Sequence, residues 1–155
     1  MSSIKFSASY LLISIFFLSI TAFGEEDKKP YIYIEADKLI NKQEILVSEF
    51  IGNVYANDGE NYFWGDKMII NYDENKKIDQ IIIEENVKIK RIFEEATGNF
   101  ASYKPKDGII ELTGDVVVFK DDSVLYGEKL TVDLISSSSI ISGNSQKQVS
   151  VKIVQ

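Results

Sequence analysis

The sequence contains no cysteine and no histidine, and these two absences exclude several kinds of chemistry. Without cysteine the chain has no disulfide framework, no thiolate nucleophile and no cysteine that a lipid could modify. Without histidine it lacks the commonest general base and the commonest metal ligand. Acidic residues remain, but most stand in turn-like stretches such as 73–75 and 121–123, where solvated turn residues are expected. The sequence therefore predicts no catalytic residue, no metal site and no cofactor.

Positive charge is also scarce. The chain has 17 basic and 24 acidic residues, and Arg91 is its only arginine. Nucleic acid and anionic membrane surfaces attract strongly basic proteins, because basic side chains neutralise their phosphates. The acidic balance therefore argues against nucleic acid as a partner. The sequence also lacks a phosphate-cradling Gly-rich loop followed by Lys-Ser or Lys-Thr, so it does not predict a nucleotide-driven machine.

The first 24 residues are predicted to be a cleaved secretory signal peptide. Lys5 precedes an apolar run from Tyr10 to Ile20, and the small residues Ala22 and Gly24 suit signal peptidase cleavage after Gly24. An uncleaved membrane anchor is the alternative, but the run is shorter than the roughly 20 residues that a spanning helix needs. Residues 25–155 are then predicted to form a single domain.

An eight-residue phrase occurs twice. GDKMIINY at 65–72 returns as GEKLTVDL at 127–134, an offset of 62 positions. Related elements begin at 36, 65, 98 and 127, so the steps are 29, 33 and 29 residues. A second element, 52–54, 85–87 and 114–116, stands 13 positions before the last three of them. Such regular spacing indicates that one structural unit is repeated and stacked.

Each unit of about 31 residues contains two strand-like segments in which apolar residues alternate. Thr131, Asp133 and Asn71 fall on the opposite, polar face. Long helical periodicity is absent after residue 24, and turn signals separate the apolar segments. The pattern predicts an all-β fold of roughly a dozen short strands, either a sandwich-like jelly roll or a short solenoid with an apolar interior.

The recurring glycines are predicted to mark a bend in each unit. Phe63 and Met68 are both expected inside, yet they are five positions apart and would point to opposite faces of an uninterrupted strand. A bulge at Gly65 restores the alternation, and the same applies at Gly98 and Gly127.

The repeated residues resemble the OstA-like, LptA-type periplasmic lipopolysaccharide-transport proteins. The resemblance rests on IEADKL at 34–39, GNVYA at 52–56, GDKM at 65–68, LTGDVVV at 112–118 and GEKLTVDL at 127–134. It covers about residues 31–134. It implies a repetitive antiparallel β jelly roll, open along one side, whose apolar interior shields the acyl chains of lipopolysaccharide.

The resemblance also implies a location and partners. The protein is expected in the periplasm of a Gram-negative bacterium, stacked head to tail with further copies of itself. The stack would meet an inner-membrane transport complex at one end and an outer-membrane inserter at the other. Because no arginine cluster marks a phosphate site, lipopolysaccharide headgroups are expected in solvent or bridged by divalent cations.

On this basis, the inward-facing columns become a predicted acyl-chain groove. Alternation alone favours an ordinary packed core that binds nothing, and the resemblance reverses that order. The predicted groove residues are Phe50, Val54, Phe63, Met68, Ile70, Ile83, Val87, Ile89, Leu112, Val116, Val118, Leu125, Leu130 and Val132.

Both ends of the predicted stack have strand-forming sequences and little protection. Exposed strand edges normally carry proline, charge or a covering element. Here only Lys147 and Lys152 could act as gatekeepers. Head-to-tail assembly is therefore predicted through the edge residues Ile32, Ile34, Val149, Val151 and Ile153. The alternative is that a terminal strand folds back over its own edge.

The sequence is compatible with three other hypotheses about the function of the chain. The chain could be a membrane-anchored partner in the same transport system, in which case residues 1–24 would be retained. It could be a structural or glycan-binding periplasmic β-sandwich without a transport role. A glycosidase using two carboxylates is a further alternative, although the acidic residues fall mainly in turns.

Overall fold

The computed structural model describes residues 31–91 and 94–153, and the predicted signal peptide lies outside them. Within these ranges the chain forms ten β-strands and one short 3₁₀ segment, Gln43–Ile45. The strands are β1 (Tyr33–Glu35), β2 (Lys38–Lys42), β3 (Val47–Asn57), β4 (Asn61–Tyr72), β5 (Ile78–Arg91), β6 (Glu94–Lys104), β7 (Ile109–Lys120), β8 (Ser123–Asp133), β9 (Ser138–Ser142) and β10 (Ser150–Ile153).

The strands form one antiparallel sheet in which β3 to β8 pair consecutively. The all-β, antiparallel prediction with two strands per repeat is confirmed. The expectation that the strands would be short is wrong for β3 to β8, which are 11 to 14 residues long. Each of these strands bends in its middle and continues, so it supplies two strand-like segments to the sequence pattern.

The bend lies at a bulge in β3, β5 and β7. In β3, two residues, Gly52 and Asn53, stand opposite the single residue Asp66 of β4. Both have left-handed backbone angles, with φ of 82° and 45°. The equivalent pairs, also left-handed, are Glu85 with Asn86 in β5 and Gly114 with Asp115 in β7. An extra residue in one strand of a pair increases the local twist and bends the strand.

The predicted role of the recurring glycines needs a correction. The alternation does shift beside Gly65, since Phe63, Gly65 and Met68 are all buried. However, Gly65, Gly98 and Gly127 do not hold the extra residue and are not among the left-handed positions. They face the bulge of a neighbouring strand, where a side chain has no room: a Cβ on Gly127 would lie 2.6 Å from Cγ1 of Ile141.

Two of the bends are held by a hydrogen bond between an asparagine in the bulge and an aspartate opposite the bulge. Asn86 in the β5 bulge donates a 2.7 Å hydrogen bond from Nδ2 to Oδ2 of Asp66. Asn53 in the β3 bulge does the same to Asp37, at 2.8 Å. At these two bends an aspartate accepts a hydrogen bond from the side-chain amide of the next bulge in the chain, and Asp66 of the Gly-Asp element is one of the two.

Because every long strand bends, the sheet folds over into two layers. The first layer contains β1, β10 and the half-strands 54–57, 61–65, 87–91, 94–98, 116–120 and 123–127. The second contains β2, β9 and the half-strands 47–51, 67–72, 78–84, 100–104, 109–113 and 129–133. The bulges form the closed side, and the hairpin turns of the two layers face one another on the other side, here called the mouth. Residues of both layers form one apolar core.

The end rungs of the stack are split strands. β1 and β2 together flank β3, one in each layer, with the corner at Ala36 and Asp37 between them. β9 and β10 flank β8 in the same way. Gly143 and Asn144 lie between β9 and β10, 29 positions after Gly114 and Asp115, so the repeat runs further than the motif comparison indicated.

The predicted edge residues divide into two groups. Ile32 and Ile34 are half-buried and pack against the core, while the neighbouring Tyr31 and Tyr33 are exposed. Val149, Val151 and Ile153 are exposed, and Val151 and Ile153 lie in the edge strand β10. No helix within residues 31–91 and 94–153 is long and apolar enough to cross a membrane.

Candidate functional site

All fourteen predicted groove residues lie on the interior faces of the two layers. Eleven are buried, and the other three, Phe50, Leu125 and Val132, are half-buried and pack against them. The alternation therefore placed each side chain on the correct face. Whether these residues contact a lipid is a separate question, because the same positions could form a closed core.

The middle of the interior is closed. The largest fully buried side chains lie there: Val54, Met68, Ile70, Ile83, Val87, Leu112 and Val116. At the mouth beside them, the rings of Phe63 and Tyr103 stack with centroids 6.1 Å apart and join the first layer to the second. An acyl chain could reach this region only after the two layers had moved apart.

The interior is open toward the β8 end of the stack. A cavity of about 160 Å³ lies between the layers there. Five of the predicted groove residues line it: Ile89, Val118, Leu125, Leu130 and Val132. Its wall is therefore apolar and is built from both layers.

The predicted groove left out four apolar residues of this wall: Ile110, Ala96, Leu134 and Ile141. The alternation of Ile110 with Leu112 could have identified the first. Ile141 lies in β9, where the exposed serines around it obscured the strand. Its alignment with Leu112, 29 positions earlier, is the signal that could have found it.

Polar and charged side chains surround the mouth of the cavity: Asn61, Arg91, Glu94, Glu95 and Lys120. Lys120 forms an ion pair with Glu94, and this hydrogen bond raises the pKa of the Lys120 ammonium group. The turn containing Asp121 and the turn containing Ser137 line one cleft at this position. The open end of the interior is thus bordered by ionised groups, an arrangement suited to an amphiphile.

Burial and charge also affect Tyr103 at the mouth. Burial raises the pKa of its phenol above 10.0, and the negative charges of Asp58 and Glu60 raise it further. Arg91 acts in the opposite direction. Tyr103 of the second layer also stacks on Phe63 of the first, so the two layers meet there.

The carboxylates beside the cavity are paired with lysine side chains. Glu94 pairs with Lys120, and Glu95 lies 3.9 Å from Lys88. Among residues 31–91 and 94–153, no group of three or more acidic side chains is placed to hold a metal ion. What the site offers is therefore a binding surface that is apolar inside and charged at its rim.

The outer face of the first layer contains an aromatic cluster that the sequence did not predict. Trp64 lies 5.5 Å from Tyr55 and 6.4 Å from Tyr62, measured between ring centroids. The Lys88 ammonium lies 4.4 Å from the Trp64 ring. Tyr55 and Lys88 are the cross-strand partners of Trp64, whereas Tyr62 precedes it by two positions on the same face of β4, and such cross-strand pairs stabilise sheets.

Fold and site together define a class: an antiparallel β jelly roll whose two layers enclose an apolar interior that is open at one side. Residues 33–138 match the family described as LptA/(LptD N-terminal domain) LPS transport protein. The chain belongs to this family of lipopolysaccharide-transport proteins.

A solved structure has the same fold. It is the crystal structure of LptH from Pseudomonas aeruginosa, described as the LptA-homologous periplasmic component of the lipopolysaccharide transport device. The TM-score is 0.73 at 16% identity, and the alignment covers 83% of this chain and 99% of that one. At this identity the likeness establishes the fold alone. No curated protein sequence matches the chain.

Proposed function

We propose that the protein carries lipopolysaccharide through the periplasm by enclosing its acyl chains between the two layers. The lipid would pass from an inner-membrane complex to an outer-membrane inserter along copies of the protein stacked end to end. Residues 1–24 would be removed as a signal peptide, leaving residues 25–155 as one domain. An intact-mass measurement of the cellular protein would test this processing.

The observation that carries the proposal is the apolar cavity with a charged rim at the β8 end. Each methylene removed from water contributes about 0.8 kcal/mol, so a multi-acyl lipid needs a continuous apolar surface to leave a membrane. The interior faces of β3 to β8 supply such a surface along the stack. Membership of a lipopolysaccharide-transport family supports this ligand over other amphiphiles.

The cavity is too small to hold the acyl chains of a lipopolysaccharide as it stands. A space of about 160 Å³ is close to that of a cavity that holds one benzene molecule. Several acyl chains would not fit, so loading requires the layers to separate. The bends on the closed side would act as the hinge, because each long strand continues through its bend and so joins the two layers covalently there.

Stacking would use the split end strands. β1 and β2 present strand edges at one end, and β9 and β10 present them at the other. Pairing of unlike ends does not close into a ring, so a chain of copies can grow and keep the apolar interiors continuous.

Site-specific photo-crosslinking in cells would test the lipid-binding role. A photoreactive residue at Val132, which is half-buried in the cavity wall, is expected to capture lipopolysaccharide. The same residue at Thr131, its neighbour on the outer face, is the matched control and should capture little. Equal capture at both positions, or capture at neither, would contradict the proposal.

A further inference from the structure

Two buried polar atoms at the mouth have no hydrogen-bond partner within the described parts of the chain. They are Oδ1 of Asn61 and Nε of Arg91. Asn61 is only 4% exposed, and its Nδ2 is already used, donating to the Asp58 carboxylate at 2.9 and 3.2 Å. Nearly all buried polar groups in proteins are hydrogen-bonded, so each exception calls for an explanation.

The two atoms belong to one place. Asn61 begins β4, Arg91 ends β5, and the residues are direct cross-strand partners. Both line the apolar cavity, and Arg91 also lines the cleft on the outer face beside Tyr62 and Trp64. An unused acceptor and an unused charged donor therefore stand side by side where the apolar interior meets solvent.

Two of the cations near Arg91 are paired with carboxylates, whereas among the described residues Arg91 and the adjacent exposed Lys90 are not. Lys120 is paired with Glu94, and Lys88 lies near Glu95. Between residues 31–91 and 94–153, Arg91 takes part in no salt bridge. Its guanidinium group is thus available to an anion, and this geometry matches phosphate oxygens well.

We propose that Asn61 and Arg91 form a headgroup site for an acylated, phosphorylated saccharide. The phosphate accepts a hydrogen bond from Arg91, and a hydroxyl or amide N–H of the sugar donates to Oδ1 of Asn61. The acyl chains continue from this point into the cavity. The inference rests on the proposed function and replaces the expectation that headgroups remain in solvent. A single arginine at this position binds the phosphate, so no arginine cluster is needed.

The test uses the mature full-length protein and two probes with identical acyl chains. One probe is an acylated glucosamine disaccharide with two phosphates, and the other is its phosphate-free form. The variants are Arg91→Gln, which removes the charge, and Arg91→Lys, which keeps the charge but removes Nε. Lys90→Gln is the matched control, since it removes the same charge from the adjacent exposed residue.

Arg91→Gln is expected to weaken binding of the phosphorylated probe by about tenfold to a hundredfold, the range of hydrogen bonds to charged groups. Arg91→Lys should weaken binding of the phosphorylated probe by a smaller factor. Lys90→Gln should change the affinity for that probe less than about twofold. Binding of the phosphate-free probe should be unaffected in all three, which also shows that the variants are folded.

Two results would overturn the headgroup site. One is equal weakening of both probes by Arg91→Gln, and the other is no weakening of either, as expected if water satisfies both atoms. Failure of the unaltered protein to bind even the phosphate-free probe would instead refute the acyl-chain groove, so the two proposals fail separately.

Discussion

A Cβ atom on Gly98 would lie 2.8 Å from Cδ1 of Leu112 and 3.1 Å from the carbonyl oxygen of Thr113. Gly98 belongs to β6 and Leu112 to β7, and Leu112 has no exposed surface. The same relationship joins Gly127 to Ile141 and Gly65 to Ile83. At each bend the missing side chain makes room for the apolar residue that packs across from it, so the glycines set how closely the layers approach.

Gly98→Ala is expected to destabilise the protein by about 1 to 3 kcal/mol, because the added methyl group overfills a packed region. Urea unfolding measures the free energy. In a Leu112→Ala background the same change should cost less, since the clashing atoms are gone. Equal costs in the two backgrounds would show that the Gly98–Leu112 contact is not the cause.

Val116→Asp is expected to unfold the protein, and not only to abolish lipid binding. Val116 has no exposed surface, and burying a carboxylate there should cost roughly 4 kcal/mol or more. Val117→Asp, the same change on the half-exposed outer face, should cost about 1 kcal/mol or less. Circular dichroism and thermal unfolding would compare them. A folded Val116→Asp protein would mean that water reaches the centre of the interior.

Lipid loading is expected to separate the hairpin turns of the two layers. Because the chain lacks cysteine, spin labels can be attached at Cys substitutions of Asp122 in the first layer and Ser136 in the second. Their separation, measured by pulsed electron paramagnetic resonance, should increase when lipopolysaccharide is added. Labels at Glu60 and Asp122, both in turns of the first layer, should keep their distance. If the separation between the labels at Asp122 and Ser136 is unchanged when lipid is bound, the layers do not open at the mouth.

The Asp73 carboxyl is expected to titrate below its ordinary pKa of 3.8. The main cause is a 2.9 Å hydrogen bond from the Lys106 ammonium, followed by bonds from the backbone N–H groups of Lys77 and Asn75. A lowered folded-state pKa gives stability that is complete above the ordinary value and is lost as pH falls through the lowered one.

Lys106→Gln should therefore raise the Asp73 pKa toward 3.8, as measured by NMR titration of its carboxyl carbon. The stability difference between this variant and the unaltered protein should shrink as the pH falls through the lowered pKa, because the carboxylate then becomes protonated in both. Lys104→Gln removes a nearby exposed charge and should leave Asp73 unchanged. A similar rise in both variants would point to general charge effects instead of this contact.

Val151→Pro is expected to weaken end-to-end association while leaving a folded monomer. Val151 lies in the exposed edge strand β10, and proline disfavours strand pairing at an edge because it lacks a backbone N–H. The substitution is a more specific test than deleting residues 147–155, because the deletion would remove β10 and expose the edge of β8 as a new pairing edge. Light scattering over a concentration series would measure association.

Phe119→Ser serves as the control for the edge variant, because Phe119 is 44% exposed on the outer face and not at an edge. It should associate like the unaltered protein. If Val151→Pro also associates normally, or if the unaltered protein remains monomeric at high concentration, the stacking proposal is wrong.

Local residue chemistry was sufficient to predict the fold class and the inward faces. Alternation at period two placed Val116, Met68 and the other twelve groove residues inside, because a strand has only two faces and one of them must leave water. The regular spacing also indicated two strands per unit. These properties depend on neighbours in the chain, and the sequence records them directly.

The position of the extra residue at each bend could not be predicted in the same way. Gly65 and Gly52 are both glycines in the repeat, yet only Gly52 has a left-handed backbone. Gly65 is required by the volume of Ile83 on the next strand, and that contact exists only once the strand has bent. A sequence pattern shows where glycine recurs. It does not show whether a left-handed backbone or a lack of space for a side chain requires the glycine.

The sequence alone determined that this chain is an acidic, cysteine-free repeat of amphipathic strands with an apolar face to bury. Only the tertiary structure decided which part of that face is closed and which remains open. Val116 and Val132 follow the same alternation, but Val116 is enclosed by both layers while Val132 lies beside a cavity near the end of the stack. Enclosure depends on how far apart the layers lie at each rung, and that distance is set by contacts between residues remote in sequence.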